Sequence, residues 1–162
     1  MLLLLAATYL YWSQVKNLER EDNEFLVNQI QNCRRLLQGR PTDKPLLVNE
    51  VQAETAASLI KYYIRILDDR GRILLETSGM TNLLPVVSFP VAVAVAEIPR
   101  RGTIREIAKD QICLLMSAKA KPDLESAGEN TIQVALDVSE EEELTAGYQR
   151  KLLTVVVLGS LF

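Results

Sequence analysis

Sulfur-bearing side chains are the residues of this chain whose chemistry could hold a soft metal ion. Met80, Met116 and Cys113 are candidate ligands for monovalent copper or silver, because thioether and thiolate sulfur favour such ions. Cys113 and Met116 lie three positions apart in a predicted strand, so their side chains should point to opposite faces of the sheet. Cys33, a fourth candidate, belongs to the apolar stripe of a predicted helix, where cysteine behaves as a small hydrophobic residue. We therefore predict core packing for these residues, with no metal site and no cofactor.

Catalytic arrangements are restricted because the chain contains no histidine. Ser-His-Asp and Cys-His arrangements both require one, and no glycine-rich phosphate loop appears. Asp68 and Asp69 could form a metal-binding or acid–base pair, but a predicted turn explains both carboxylates. The acidic run 140–143 could bind a cation, but it is typical of the solvated first turn of a helix. The sequence thus predicts that this chain is not itself an enzyme.

The overall composition indicates one folded domain. Of the 162 residues, 48% are apolar and the net charge is −3, which argues against disorder and against a basic surface for nucleic acid. The two cysteines, Cys33 and Cys113, are too few for a disulfide scaffold. A single disulfide between them in an oxidising compartment stays an open alternative.

Apolar runs at both ends suggest contact with a membrane. Leu2–Trp12 and Leu152–Phe162 carry no charge, and each run as a helix spans ~16 Å, about half of a bilayer's hydrocarbon core. We interpret residues 1–14 and 151–162 as parts of two transmembrane helices, with a sensor domain at 15–150 between them. The alternative is a pair of amphipathic or buried soluble helices.

Helical periodicity predicts one long helix from Leu2 to Gln38. An apolar stripe follows its length: Val15, Leu18, Phe25, Leu26, Ile30, Cys33 and Leu37. The other faces carry charged residues, among them Arg34 and Arg35. Gly39 and Pro41 are then expected to end this helix. A second helix is expected after "TDKP".

Alternation of side chains predicts a sheet of about five antiparallel strands. The segment "YYIRILDDRGRILLETSGM" indicates a hairpin, with strands Tyr62–Leu67 and Arg72–Glu76 around a turn at Asp68–Gly71. Further strands are expected at Thr103–Ile107, Gln111–Ala118 and Thr131–Val138.

Two connecting segments complete the expected α+β (α/β) fold. The three prolines of residues 81–101 predict an irregular crossing segment, with one helical turn near Val91–Ala96. The motif "SEEE" predicts a capping box of Ser139 and Glu142 that starts a C-terminal helix. The expected architecture is a central antiparallel sheet with a long N-terminal helix packed beside the C-terminal one.

The hairpin segment and the later "IQVALDVSEEEELTAGYQRKLL" resemble the extracytoplasmic region of two-component sensor histidine kinases of the heavy-metal-sensor type. Copper- and silver-responsive kinases are the best-known members. The resemblance covers most of the chain and is weakest from Thr81 to Ile107. It implies a PAS-like or PDC-like sensor fold at the bacterial inner membrane, facing the periplasm.

The same resemblance implies a homodimer that controls a cytoplasmic kinase outside this chain. The helix residues expected to form the dimer and to transmit the signal are Val15, Leu18, Phe25, Leu26 and Ile30. The family's copper and silver sensors use histidine and methionine ligands, and this chain offers no histidine, so no ligand set is transferred. The expected partners are therefore the membrane, a second copy and an unidentified small ligand, ion or periplasmic protein, with no nucleic acid.

Two other functions stay open at this point. A chemoreceptor or a cyclic-dinucleotide enzyme could use such a sensor region, and a structural membrane protein could have this pattern without sensing anything. Arg150 and Lys151 border the second apolar run on the side assigned to the outside, against the positive-inside tendency. The cytoplasmic sequence that follows would separate a kinase from a chemoreceptor, and a ligand-dependent change in stability would exclude a purely structural role.

Overall fold

The computed structural model describes residues 2–39, 61–108, 111–122, 128–140 and 147. Its elements are α1 (Leu2–Gly39), β1 (Tyr62–Leu67), β2 (Ile73–Glu76), a helical turn (Met80–Leu83), a 3₁₀ turn (Val86–Ser88), β3 (Thr103–Ala108), β4 (Gln111–Ala120) and β5 (Asn130–Asp137). The strands form one antiparallel sheet in the order β2-β1-β5-β4-β3. The predicted α+β fold, with a central antiparallel sheet and a long N-terminal helix, is confirmed.

Helix α1 packs its middle and C-terminal half on the sheet. The helix has 38 residues, a length of ~57 Å, and it contacts β4 and β5. Leu26 and Ile30 are 0% exposed, because the 3.6-residue period places both on the side that faces the strands. In the part of the chain that the structure describes, no helix is long and apolar enough to cross a membrane.

The sheet separates two apolar clusters because successive residues of a strand point to opposite faces. The helix-side core includes Ile64, Met116 and Val134, which lie side by side on β1, β4 and β5. The far-side core contains Cys113 and Ala135, together with residues of the helical turn. The predicted alternation of β1 and β5 is therefore confirmed.

Asp68 organises the turn between β1 and β2. Its Oδ1 accepts hydrogen bonds from the backbone N–H groups of Arg70, at 2.9 Å, and Arg72, at 2.7 Å. Burial opposes the charged form, but the hydrogen bonds and charge of Arg72, with the bond from Arg70, outweigh it, so the pKa of Asp68 is lowered. Gly71 adopts a φ of 76°, which favours glycine. The prediction that Asp68 is a turn residue is confirmed.

The crossing segment differs from the sequence prediction. The helical turn expected near Val91–Ala96 is wrong, and the helical turns lie earlier, at Met80–Leu83 and Val86–Ser88. Val93 instead pairs with β4: its N–H donates to the Ser117 carbonyl at 3.2 Å, and its carbonyl accepts from Lys119 N–H at 2.8 Å. The pairing of β3 with β4 stops at Leu115, which leaves backbone groups that this segment satisfies.

The end of β5 is tied to β4 by Ser139. The Ser139 hydroxyl accepts a hydrogen bond from the Ile112 N–H at 2.9 Å, and its backbone N–H donates to the Asp137 carboxylate at 3.1 Å. Ser139, Glu140 and Gly147 are helical. Glu142, most of the predicted C-terminal helix, the helix expected after "TDKP" and residues 151–162 lie outside the described residues.

Candidate functional site

The junction between α1 and the sheet is formed by apolar side chains of the helix. Leu26, Ile30 and Cys33 enter the helix-side core, and each is at most 2% exposed. The half-buried Phe25 ring meets Tyr62 of β1 edge to face, with ring centroids 5.3 Å apart. Through this packing, α1 is held against the sheet.

Arg34 reinforces that junction with polar contacts. Its guanidinium donates to the carbonyl oxygens of Lys119, Glu97 and Ala94, at 3.0, 2.9 and 3.2 Å respectively. Burial lowers the pKa of Arg34. The prediction that Arg34 lies on an exposed face is wrong, since the side chain is only 7% exposed. Its position four residues after Ile30 was the sequence signal for burial.

A second buried cation, Arg65, lies on the far side of the sheet. It is 1% exposed, and its Nε is 3.1 Å from the Glu76 carboxylate on β2. One Nη also donates to the Leu84 carbonyl at 2.9 Å. Gln133 of β5 accepts from Arg65 at 3.3 Å and donates to the Val86 carbonyl at 3.1 Å. This network binds the crossing segment to the sheet. The sequence alone did not predict the network.

The soft-metal candidates are divided between the two cores. Met116 belongs to the helix-side core, whereas Met80 and Cys113 belong to the far-side core. The opposite orientation predicted for Cys113 and Met116 is confirmed. Burial and then the Asp137 charge raise the pKa of the Cys113 thiol to about 11, which disfavours the thiolate that soft metals bind. Within the described ranges, no three His, Cys, Asp or Glu side chains form a group that could hold a metal ion.

The two cysteines do not form a disulfide. Both thiols are buried, and neither is part of a disulfide. Cys33 lies in the helix-side core and Cys113 in the far-side core, so the sheet separates them. The disulfide alternative is therefore excluded by the strand register, which the spacing of the cysteines could not reveal.

An open groove lies between α1 and residues 100–101 of the crossing segment. Its volume is about 610 Å³, and α1 residues from Lys16 to Asn28 form one wall. Asn23 fixes the other wall by accepting a hydrogen bond from the Gly102 N–H at 2.6 Å. The Arg101 guanidinium is 2.6 Å from the Glu19 carboxylate. The groove is therefore lined mostly by charged and polar residues, and it is built from both the helix and the segment that crosses it.

The residues predicted to form a dimer fall into two groups. Leu26 and Ile30 are covered by the sheet of the same chain, and Phe25 packs on Tyr62. Leu18 is 40% exposed and Val15 is half-buried, so the N-terminal half of the stripe still presents apolar surface. Dimerisation through this half stays a prediction.

Comparison with known proteins identifies a shared fold. No protein-family model matches the chain, and no curated protein matches it in sequence. Among solved structures, the chain is similar to the CusS sensor domain with silver bound, with a TM-score of 0.51 and 10% sequence identity. The match covers 76% of this chain and 93% of that domain. The chain therefore shares the fold of that domain, in agreement with the fold expected from the sequence.

Proposed function

We propose that this chain is the extracytoplasmic signal-sensing domain of a membrane-bound two-component sensor histidine kinase. The observation that carries the proposal is the fold shared with the CusS sensor domain over 93% of that domain's length. The apolar start of α1 supports membrane attachment, with residues 1–14 and 151–162 as parts of two spans and 15–150 as the sensor domain. In this arrangement the domain faces the periplasm from the bacterial inner membrane, and the catalytic kinase lies outside this chain.

Signal transmission would use the continuity of α1. The helix runs unbroken from its apolar start to the sheet, where Leu26 and Ile30 pack and Arg34 binds carbonyls of β4 and the crossing segment. A ligand that shifts the sheet or the crossing segment would therefore move the helix with it. The shift in signalling can be no larger than the difference in ligand affinity between the two helix arrangements.

A homodimer would allow the α1 helices of its two copies to pack in two alternative arrangements. The exposed side of Leu18 and the half-buried Val15 form an apolar surface near the membrane end of α1, and a second copy would bury it. Leu26 and Ile30 would instead hold the helix to the sheet of the same chain. The dimer contact and the sheet contact therefore use different residues of one helix.

The class of signal is a small ligand, an ion or a periplasmic protein. The solved CusS sensor domain holds silver, which makes an ion one of these classes. Here the sulfur atoms of Met80 and Cys113 are buried in the apolar far-side core, and the raised pKa of Cys113 keeps that thiol protonated. These observations favour a signal other than a monovalent soft metal.

The test of the proposed function is a chimeric receptor. The chain replaces the sensor region and both spans of a characterised histidine kinase, and autophosphorylation is measured in membrane vesicles. We expect kinase activity that responds to substitutions on the exposed stripe of α1. A parent gene that encodes a chemoreceptor or cyclic-dinucleotide domain after Phe162 would contradict the kinase assignment, while a kinase domain there would support it.

A further inference from the structure

The groove beside α1 carries an excess of positive charge. Four basic side chains line it, Lys16, Arg20, Arg100 and Arg101, against two acidic ones. The acidic side chains, both on α1, pair with Arg20 at 3.7 Å and with Arg101 at 2.6 Å. These pairs are largely exposed, and such pairs hold weakly. Lys16 and Arg100 make no ion pair with any residue in the described part of the chain.

The groove begins one helical turn above an exposed aromatic pair. Tyr9 and Trp12 are 68% and 55% exposed, and they lie at the end of the uncharged segment that begins α1. Exposed aromatic rings at the end of an apolar run are typical of the bilayer headgroup level. Lys16 and Arg20 follow Trp12 at heights of ~6 and ~12 Å along the axis.

The Lys16 side chain also leans toward the aromatic level. Helical side chains tilt toward the N-terminus of their helix, and the Lys16 ammonium lies 3.8 Å from the centre of the Trp12 ring. A headgroup layer is ~5–8 Å thick on each side of the hydrocarbon core. The lower end of the groove therefore falls within reach of lipid phosphates.

We propose that this groove binds the phosphate of an anionic phospholipid, through Lys16, Arg20, Arg100 and Arg101, in the bilayer that receives the apolar end of α1. The inference rests on the proposed membrane attachment. Free inorganic phosphate has the same chemistry, but the position of the groove one turn above Trp12 favours the lipid. Binding would tie the crossing segment, through Arg100 and Arg101, to the membrane surface.

The experiment uses the full chain in nanodiscs and Trp12, its single tryptophan, as the energy donor. Energy transfer is measured to phosphatidylglycerol and, separately, to phosphatidylcholine, each labelled with dansyl on the acyl chain. We expect phosphatidylglycerol to be enriched around the chain roughly fivefold, the factor that one basic residue contributes near an anionic surface. The double variant Arg20→Gln/Arg100→Gln should bring this ratio close to one.

A matched control removes the same charge elsewhere. Arg70 and Arg105 are exposed, in the hairpin turn and on β3, so Arg70→Gln/Arg105→Gln should leave the enrichment unchanged. Equal transfer to both lipids in the unmodified chain, or equal loss in both double variants, would overturn the proposal. Loss of enrichment on adding inorganic phosphate at constant ionic strength would assign the groove to a soluble anion instead. Failure of the chain to enter nanodiscs would overturn this proposal and the proposed membrane attachment together. If the chain enters nanodiscs but shows no enrichment of phosphatidylglycerol, only the proposal about the groove is overturned.

Discussion

Arg34 and Arg35 are consecutive residues of α1 that lie in opposite environments. The Arg34 guanidinium is buried and donates to the carbonyls of Lys119, Glu97 and Ala94. Arg35 is exposed and donates to the Asn32 side chain within its own helix. One arginine therefore connects the helix to the sheet and the crossing segment, while its neighbour belongs to the solvated surface.

The Arg34→Lys variant should lower the free energy of unfolding by about 1–3 kcal/mol. A lysine keeps the charge but lacks the planar fork that reaches three carbonyls, so buried oxygens lose their donors. Arg35→Lys is the matched control and should change stability by less than ~0.5 kcal/mol. Urea unfolding of the full chain in mild detergent measures both, and equal midpoints would contradict the structural role of Arg34.

The Glu76→Gln variant tests the buried cation Arg65. Loss of the negative partner at 3.1 Å leaves the guanidinium with neutral acceptors only, so we expect a loss of about 1–2 kcal/mol. Glu106→Gln, on the exposed strand β3, removes an equal charge and should be nearly neutral. A stability loss shared by both variants would point to net charge rather than to the pairing with Arg65.

Cys113 should make the fold less stable in alkaline solution. Its pKa rises from the ordinary 9.0 to about 11 on folding, so the unfolded chain loses its proton first as the pH increases. The free energy of unfolding should hold below pH 9 and fall by about 2–3 kcal/mol by pH 11. The Cys113→Ala variant should lack the part of this decline that comes from the thiol, which measurements of unfolding against pH can resolve.

Tyr63 makes a control necessary in that experiment. Burial, followed by the charges of Asp137 and Cys113, raises the pKa of Tyr63, and its titration also falls at high pH. Comparison of the unmodified chain with Cys113→Ala removes the titration of the thiol together with its charge effect on Tyr63, and it leaves the effects of burial and Asp137 on Tyr63 in place. Cys33→Ala serves as the matched thiol deletion and should retain the alkaline decline in stability. If the decline disappeared in Cys33→Ala, its assignment to Cys113 would be contradicted.

The isolated chain should not bind silver or copper tightly. Met116 faces α1, while Met80 and Cys113 lie in the core on the other side of the sheet, so the three sulfur atoms cannot share one ion. Calorimetric titration of the reduced chain with monovalent silver should give only weak heats. A submicromolar one-to-one site that disappears in Met80→Ala or Cys113→Ala would show that the far-side core is a metal site after all.

Substitutions on α1 should affect signalling according to which surface they touch. In the chimeric kinase, Leu18→Asn should alter basal autophosphorylation without signal, because Leu18 is exposed where a second copy would pack. Arg70→Ala, in the exposed turn, should have no effect. Phe25→Asn should act differently, by weakening the contact with Tyr62 and lowering stability. A folded Leu18→Asn chimera with unchanged output and dimerisation would contradict transmission through this helix.

Local patterns in the sequence determined the elements of this protein. The 3.6-residue period of α1 and the two-residue period of β1 and β5 depend on neighbours along the chain, so both are visible without any tertiary information. The hairpin turn at Asp68–Gly71 is equally local, because the Asp68 side chain binds backbone only two and four residues away. The absence of histidine likewise excluded whole classes of catalytic site.

Only the tertiary structure decided how these elements meet. The placement of β5 between β1 and β4 puts Met80 with Cys113 and separates Cys33 from both, which no spacing along the chain encodes. The partners of Arg34 lie 60 to 85 positions away, and those of Arg65 lie up to 68 positions away. The groove likewise needs α1 and the crossing segment side by side. Burial and charge at these places are set by long-range packing, because a side chain's solvent exposure depends on which distant segment covers it.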